Sequence, residues 1–346
     1  MAKEVYLWAT RQISVQSPLR EDWMDDPLYY TEPYVRSIDP DYKQYFPPNT
    51  IRRLGKILKR ALLTSHRVME ETGVTHPDAI ITATGLGCVE NTEIFLDALV
   101  REGEALLKPT HFMQSTHNTI SSLIAIDVHC HGYNTTYAHK GISFECALLD
   151  AFLQLKNEQI ATALVGAHDE MTPNCFVLLK RTGYLGHSGN GFSGETAVNM
   201  LLGGQWRENA LCRLREVAFL YRPGKGDLQQ SLEHLLQQSH CCLEDIDAVM
   251  IGNNGREEND RIYRENCPIL FPGKKLLRYK HLFGESYTAS GLGVHAAAVC
   301  LRQQRIPAHL FINAGNGEQQ GVKHILFYNQ FENKNHSFIL LSACGK

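Results

Sequence analysis

Cysteine and histidine are abundant in this chain of 346 residues, but few of them are spaced for shared chemistry. The ten cysteines include no C-x-x-C pair, and no set of cysteines and histidines has the spacing of a zinc site. His129 and His131 flank Cys130 and would share one face of a strand, but no third ligand is indicated. The sequence therefore predicts no metal site.

Three other patterns that could bind phosphates or metals are incomplete. The glycine-rich segment 183–194 lacks the Gly-Lys-Ser/Thr ending of a phosphate-binding loop. The segment 85–87, Gly-Leu-Gly, has no third glycine at the dinucleotide-binding spacing. The acidic run 257–260 is typical of a solvated loop. We expect no nucleotide cofactor from these segments.

The charge balance excludes other classes of partner. Lysine and arginine number 34 against 37 acidic residues, which gives a formal net charge of −3 and no basic stripe for nucleic acid. There is no apolar run of about 18 residues that could span a membrane. The first residues lack the basic and then apolar pattern of a secretory signal. We expect a cytoplasmic protein with no nucleic-acid or membrane partner.

Strand-like and helix-like segments alternate along the chain, which indicates an α/β fold. Apolar spacing predicts strands at 5–10, 79–84, 133–138, 160–166, 216–221 and 246–251, with more strands toward residue 341. It predicts helices at 92–101, 116–126, 144–155, 228–238 and 290–302. In the helix at 144–155, Ser143 is the predicted N-cap, and Glu145 is placed to favour the helix dipole. The alternation of strands and helices begins again after a polar loop near residue 205. This predicts two similar halves, 1–205 and 206–346.

Several segments, read in order, resemble the β-ketoacyl synthase branch of the thiolase superfamily. They are 109–118, 135–151, 161–170, 192–198, 247–255, 280–291, 325–329 and 338–341. The part at 109–151 is most similar to the small branch associated with aryl-polyene and flexirubin-like pigments. The resemblance implies a thiolase-like five-layer αβαβα fold, with 192–198 as a glycine-rich edge strand and no metal or organic cofactor.

The residues that perform condensation in this family are replaced. Its nucleophilic cysteine, which a helix N-terminus activates, corresponds to Gly141. The first of its two histidines corresponds best to Asn254 and the second to Glu285, whereas its lysine is kept as Lys280. The histidines donate hydrogen bonds to a developing oxyanion, and each lost donor typically costs about 3–4 kcal/mol. Covalent acyl transfer is therefore not expected, although the amide of Asn254 or a protonated Glu285 would still be able to donate.

The resemblance also implies where an acyl chain would bind. Phe112, Met113 and His117 are candidates for lining a tunnel whose end sets the chain length. Asn118 matches the characteristic asparagine of the family, and His139 lies near the nucleophile turn.

The resulting hypothesis is a catalytically degenerate subunit, comparable to a chain length factor. Such a subunit would pair with an active ketosynthase, or with itself, and work on an acyl carrier protein. The basic residues between Arg52 and Arg60 would offer that acidic carrier a docking face, although such residues more often form a solvated helix surface.

Two alternatives stay open at this stage. One is an enzyme with a changed site, in which His111, His117 or His139 acts as acid or base with Glu285. The other is a scaffold that binds no acyl group. An open apolar cavity beside Gly141 would favour the first two hypotheses, and a filled one would favour the scaffold.

Overall fold

The computed structural model describes residues 3–104, 107–185, 191–313 and 317–345. The strands are β1 (Val5–Ile13), β2 (Ala79–Ala83), β3 (Tyr133–Tyr137), β4 (Thr162–Asp169), β5 (Thr196–Gly203), β6 (Cys212–Tyr221), β7 (Ala248–Ile251), β8 (Leu276–Arg278), β9 (Arg305–Ile306), β10 (Gln319–Gln320), β11 (His324–Phe331) and β12 (Asn335–Ser342). The helices are α1 (Pro48–Ile51), α2 (Lys56–Thr72), α3 (Val89–Glu102), α4 (Pro109–Met113), α5 (Thr119–Asp127), α6 (Ser143–Lys156), α7 (Pro173–Arg181), α8 (Asp227–Gln238), α9 (Glu257–Leu270), α10 (Lys280–Phe283) and α11 (Ala289–Gln303).

Ten of these strands form one mixed sheet in the order β3-β2-β4-β5-β1-β6-β12-β11-β7-β8. Strands β3, β2 and β4 run parallel at one end, and β11, β7 and β8 run parallel at the other. The pairs between these groups are antiparallel, and β1 joins β6 through a short register of Val5, Tyr6 and Leu7 with Leu214, Arg213 and Cys212. The strands before residue 205 thus lie on one side of the β1–β6 pair. The division into two units at residue 205 stays a prediction.

Apolar side chains on both faces of the sheet create alternating layers. The central helices α6 and α11 pack between the strands of both ends, with residues such as Phe144, Leu148 and Leu292 fully buried. Helices α2 and α5 cover the outer face of β1, β2, β4 and β5. Helices α8 and α9 cover the outer face of β7, β11 and β12. The result is the predicted five-layer αβαβα arrangement, because each sheet region buries one face against α6 and α11 and the other against an outer helix pair.

Three local predictions are wrong. The segment 192–198 was expected at a sheet edge, but its strand β5 lies inside the sheet between β4 and β1. Ser143 is the first residue of α6 and not its N-cap, and its hydroxyl donates to the carbonyl of Thr84 at 2.9 Å. The acidic run 257–260 opens helix α9 instead of forming a loop.

Asp169, at the end of β4, connects the turn after β2 with the start of α11 through hydrogen bonds. Its Oδ1 accepts hydrogen bonds from Thr84 Oγ1 (3.0 Å) and Gly85 N (2.8 Å). Its Oδ2 accepts from the backbone N and the Oγ1 of Thr288, both at 2.8 Å. The carboxylate is buried, so these bonds replace water and fix the turn after β2 against the start of α11.

The predicted basic face at 52–60 is smaller than expected. Arg60 is only 1 % exposed, because its guanidinium pairs with Asp39 (2.6 Å) and Glu195 (2.9 Å) inside the protein. Arg52, Arg53 and Lys56 remain exposed. No helix in the described residues combines the length and the apolar character needed to cross a lipid bilayer.

Candidate functional site

A cavity of about 540 Å³ lies at the carboxyl ends of β3, β7, β8 and β11. In open α/β sheets this is where ligands usually bind, since the loops that follow parallel strands converge there. The residues that line it are Lys140, Gly141, Thr182, Gly183, Tyr184, Asn254, Arg256, Glu258, Asn259, Ile262, Lys280, Glu285, Ser286, Tyr287, Ser290, Asn329, Gln330, Phe331 and Glu332. All four positions that the sequence assigned to the catalytic site, Gly141, Asn254, Glu285 and Lys280, therefore lie on one cavity wall.

Gly141 lies in the single 3₁₀ turn, Lys140–Ile142, between β3 and α6. A Cβ atom at this position would come within 2.3 Å of Phe331 Cδ2 and 2.7 Å of its Cγ. Phe331 is the last residue of β11, and its ring also packs beside Tyr184 and Tyr287, with centroids 6.1 Å away in both cases. The space that a side chain at residue 141 would need is thus filled by an aromatic ring. No sequence pattern indicates this contact, which joins positions far apart in the chain.

Lys280 and Asn254 converge on one oxygen of Glu285. The Nζ of Lys280 lies 2.9 Å from Glu285 Oε2, and the amide nitrogen of Asn254 donates to the same oxygen. All three side chains are buried. A carboxylate oxygen that accepts from an ammonium and an amide in a buried position forms a strong, charge-assisted arrangement. One of the two N–H donors of the Asn254 amide is therefore engaged by Glu285.

The loops around these residues hold them in place through backbone contacts. Glu285 N donates to Phe192 O at 2.9 Å, and Gly194 N donates to Glu285 O at 3.0 Å. Asp260, in the first turn of α9, accepts from the backbone nitrogens of Asn254 (2.8 Å) and Gly255 (3.0 Å). Asn254 and Glu285 are consequently fixed by bonds outside their own side chains.

A second buried polar group lies behind the cavity wall. Asn329 Nδ2 donates to Glu145 Oε1 at 2.6 Å, and the hydroxyl of Tyr263 donates to Asn329 Oδ1 at 3.1 Å. Burial raises the pKa of Glu145, and the hydrogen bond from Asn329 opposes this rise. Sequence reasoning placed Glu145 near the helix dipole and missed this contact with the end of β11. The residue pairs across the central layer instead of facing solvent.

The predicted substrate-binding residues do not reach the cavity. Phe112 and Met113, on α4, are 56 % and 69 % exposed, and His117 and Asn118 are exposed in the loop before α5. His139 is also exposed and lies outside the lining. Phe112, Met113 and His117 do not line the described cavity, and α4 packs on α3, where the rings of Phe95 and Phe112 are 5.3 Å apart. Their assignment to the lining of an acyl tunnel stays a prediction.

Cys146 is the thiol closest in sequence to the nucleophile position, and it is not activated. Its Sγ lies 3.5 Å from His139 Nδ1, and the residue does not line the cavity. Burial raises the pKa of this thiol to about 12, so little thiolate forms near neutral pH. Among the described residues, no group of three or more His, Cys, Asp or Glu is placed to hold a metal ion.

Comparison with known families assigns the scaffold. Residues 31–256 match the model of the beta-ketoacyl synthase, N-terminal domain. The chain belongs to the β-ketoacyl synthase family. The family membership predicted from the sequence and the thiolase-like fold are thereby confirmed. Among curated protein sequences, none matches this chain.

Solved structures of ketosynthases share the fold over almost the whole chain. The ishigamide ketosynthase/chain length factor matches with a TM-score of 0.85 and 16 % identity, covering 100 % of both chains. A type II PKS acyl-carrier protein in complex with its ketosynthase, AntDE:AntF, gives 0.80 and 13 %, covering 99 % of this chain and 100 % of that one. The ketosynthase ApeO in complex with its chain length factor ApeC, from Xenorhabdus doucetiae, gives 0.80 and 11 %, covering 99 % and 98 %. These identities are low, so the likeness establishes the fold of this ketosynthase homologue.

Proposed function

We propose that this chain is a catalytically degenerate ketosynthase homologue, comparable to a chain length factor, that pairs with an active ketosynthase. Its role would be in fatty-acid or polyketide-type chain building on an acyl carrier protein in the cytoplasm, within the aryl-polyene-like branch that segment 109–151 resembles. The observation that carries the proposal is that two features occur together in the cavity. Gly141 has no side chain, and Glu285 accepts hydrogen bonds from both Lys280 and Asn254.

The first support is the missing nucleophile. An acyl-enzyme needs a thiol or hydroxyl that faces the cavity from the turn into α6. Gly141 supplies neither, and the Phe331 ring lies where such a group would stand. The nearby Cys146 keeps its proton and lies outside the lining.

The second support is the state of the positions that correspond to the two family histidines. Decarboxylation of a malonyl thioester needs hydrogen-bond donors aimed at the developing oxyanion. Here the amide of Asn254 donates to Glu285, and Glu285 accepts from Lys280 as well. A carboxylate in this role would repel the oxyanion, and losing one donor alone typically lowers the rate about 10²–10³-fold.

The geometry does not favour the alternative of an enzyme with a changed acid and base. His111 Nδ1 lies 3.2 Å from Asn91 Oδ1, and neither His117 nor His139 lines the cavity that contains Glu285. The cavity beside Gly141 is open, which also speaks against the hypothesis of a scaffold with a filled site.

Exposed apolar side chains support pairing with another protein. Leu96 and Val100 on α3 are 50 % and 84 % exposed, and Phe112 and Met113 on α4 add to the same part of the chain. We call these four residues the α3–α4 apolar group. The edge strand β3 lies close by in sequence and pairs on only one side among the described strands. Such a group is typical of a protein–protein interface, and the neighbours with similar folds include a ketosynthase with its chain length factor.

An acyl carrier protein is the second proposed partner. One structural neighbour is a ketosynthase in complex with its acyl-carrier protein. In this chain the exposed Arg52, Arg53 and Lys56 remain as a small basic surface for an acidic carrier.

Intact-protein mass spectrometry tests the catalytic half of the proposal. The chain is incubated with acyl- and malonyl-carrier protein, alone and with a candidate active ketosynthase. We expect no acyl adduct on this chain in either mixture, and an adduct on the ketosynthase. A stable acyl adduct on this chain alone would contradict the proposal.

Co-purification tests the pairing half. We expect Met113→Asp to reduce recovery of the ketosynthase at least tenfold, because a charge would be buried in the interface. Ile269→Asp is the matched control, since Ile269 on α9 is 68 % exposed, close to the 69 % of Met113. Equal loss with both variants, or no loss with Met113→Asp, would refute the α3–α4 apolar group as the pairing surface.

A further inference from the structure

Arg256 is a buried arginine on the cavity wall, and the described residues give it no acidic partner. The residue is only 6 % exposed, and it lies directly before α9. In the described part of the chain its side chain makes one long hydrogen bond, from Nη1 to the carbonyl of Tyr184 at 3.3 Å. None of the described carboxylates lies within 4.0 Å of it, and residues 186–190, Gly-His-Ser-Gly-Asn, contain no acid in the sequence. A guanidinium has five donors, and the described residues engage only one of them.

Burying a charge without a partner is costly, so this arrangement calls for an anion. Glu285, the acid of the inner wall, does not compensate this charge, because it is already paired with Lys280 at 2.9 Å. At the rim, Lys140 is exposed, Glu258 has no ion pair among the described residues, and Glu332 is paired with Lys334 at 2.9 Å. Arg256 is thus the only cation that both lines the described cavity and is buried without an acidic group beside it.

The wall near Arg256 is aromatic. The rings of Tyr184 and Tyr287 stack with centroids 4.2 Å apart, and Phe331 lies beside both. Tyr184 therefore joins the two features, since its carbonyl accepts from Arg256 and its ring belongs to the aromatic group. A cavity of about 540 Å³ in which an aromatic part of the wall adjoins a guanidinium is of the size and kind that binds small organic molecules.

We propose that this cavity binds a small organic oxyanion, with its charged end on Arg256 and its carbon skeleton against Tyr184, Tyr287 and Phe331. The charged end is a carboxylate or a phosphate, which share the planar or forked acceptor geometry that a guanidinium matches. The inference concerns the cavity of the proposed function but requires neither the pairing with a ketosynthase nor the loss of condensation.

Binding is measured by isothermal titration calorimetry on the full chain with three probes. Benzoate carries a carboxylate on an aromatic body, benzamide is its uncharged isostere, and inorganic phosphate is an oxyanion without a carbon skeleton. We expect benzoate to bind at least tenfold more tightly than either of the others, and less tightly as the salt concentration rises. Preferential binding of phosphate would overturn the aromatic part of the proposal. Absence of binding by both anions, or equal binding of benzoate and benzamide, would overturn it entirely.

Two variants with opposite expectations guard against misfolding as an explanation. Arg256→Gln keeps a donor for the Tyr184 carbonyl but removes the charge, and it should weaken benzoate about ten- to hundredfold, the range for a hydrogen bond to a charged group. Glu258→Gln removes an exposed negative charge from the same wall and should strengthen benzoate several-fold. If Glu258→Gln leaves benzoate affinity unchanged while Arg256→Gln lowers the unfolding midpoint, Arg256 is structural and the proposal fails.

Discussion

The contact between Gly141 and Phe331 leads to a quantitative prediction about stability. An alanine at residue 141 would put a methyl group 2.3 Å from Phe331 Cδ2, well inside van der Waals contact. The ring would have to shift away from this methyl group, and the rings of Tyr184 and Tyr287 already lie beside it. Overpacking of this kind typically costs about 1–3 kcal/mol, so we expect Gly141→Ala to lower the free energy of unfolding by that amount.

Removing the ring should relieve this cost. Phe331→Ala will itself lower the free energy of unfolding, but it opens the space into which the new methyl group points. The double variant with Gly141→Ala should therefore be no less stable than Phe331→Ala alone. This corresponds to a coupling energy of about 1–3 kcal/mol between the two positions.

Urea unfolding, followed by circular dichroism, gives the four free energies of the cycle. Gly317→Ala is the matched control, because a Cβ there would meet none of the described atoms within 4 Å, and it should show no coupling with Phe331→Ala. If the effects of Gly141→Ala and Phe331→Ala add within about 0.5 kcal/mol, the two residues do not compete for the same space. The same result would remove the steric reason for the absence of a nucleophile.

Three further predictions concern buried charges. Glu285→Gln leaves Lys280 buried without its acid and should lower the free energy of unfolding by about 3–5 kcal/mol. A second change, Lys280→Met, should restore part of this loss. A loss below about 0.5 kcal/mol would show that the Lys280–Glu285 ion pair contributes little. Burial raises the pKa of Glu170 from 4.5 to about 7, so the folded chain holds this proton more tightly than the unfolded chain. The free energy of unfolding should consequently fall by about 3 kcal/mol as pH rises from about 4.5 to about 7, and Glu170→Gln should flatten that part of a pH series; an unchanged slope would refute the assignment. Asp169→Asn places an amide group against donors such as Thr288 N and should cost at least about 2 kcal/mol in thermal or urea unfolding, whereas a smaller loss would show that these bonds contribute little.

Much of the scaffold could be predicted from the sequence because its periodic segments are strongly apolar. The helix predicted at 144–155 is α6, and the strand predicted at 79–84 is β2, each within one residue at either end. Both lie in the buried central region, where apolar spacing and burial coincide. The acidic opening of α9 was misinterpreted, since its first turn carries Glu257, Glu258 and Asp260 and its buried face begins only at Ile262.

The site was only partly predictable. The positions of Gly141, Asn254, Lys280 and Glu285 followed from the order of motifs, and the fold brings them to one cavity. The roles assigned to them are still proposals. The sequence did not indicate which contacts these residues make. The hydrogen bond of Asn254 to Glu285 and the contact of Gly141 with Phe331 depend on tertiary packing between distant loops.

The first strand of the chain occupies the middle of the sheet, and this has a consequence for how the protein is made. Strand β1 pairs with β5 and β6, both of which begin only at Thr196 or later. During synthesis both hydrogen-bonding edges of β1 therefore remain unpaired until more than half of the polypeptide has left the ribosome. Pairings of such long sequence separation form slowly and leave apolar strands exposed to aggregation. Production of this protein should thus depend on chaperones or low temperature more than its balanced surface charge would suggest.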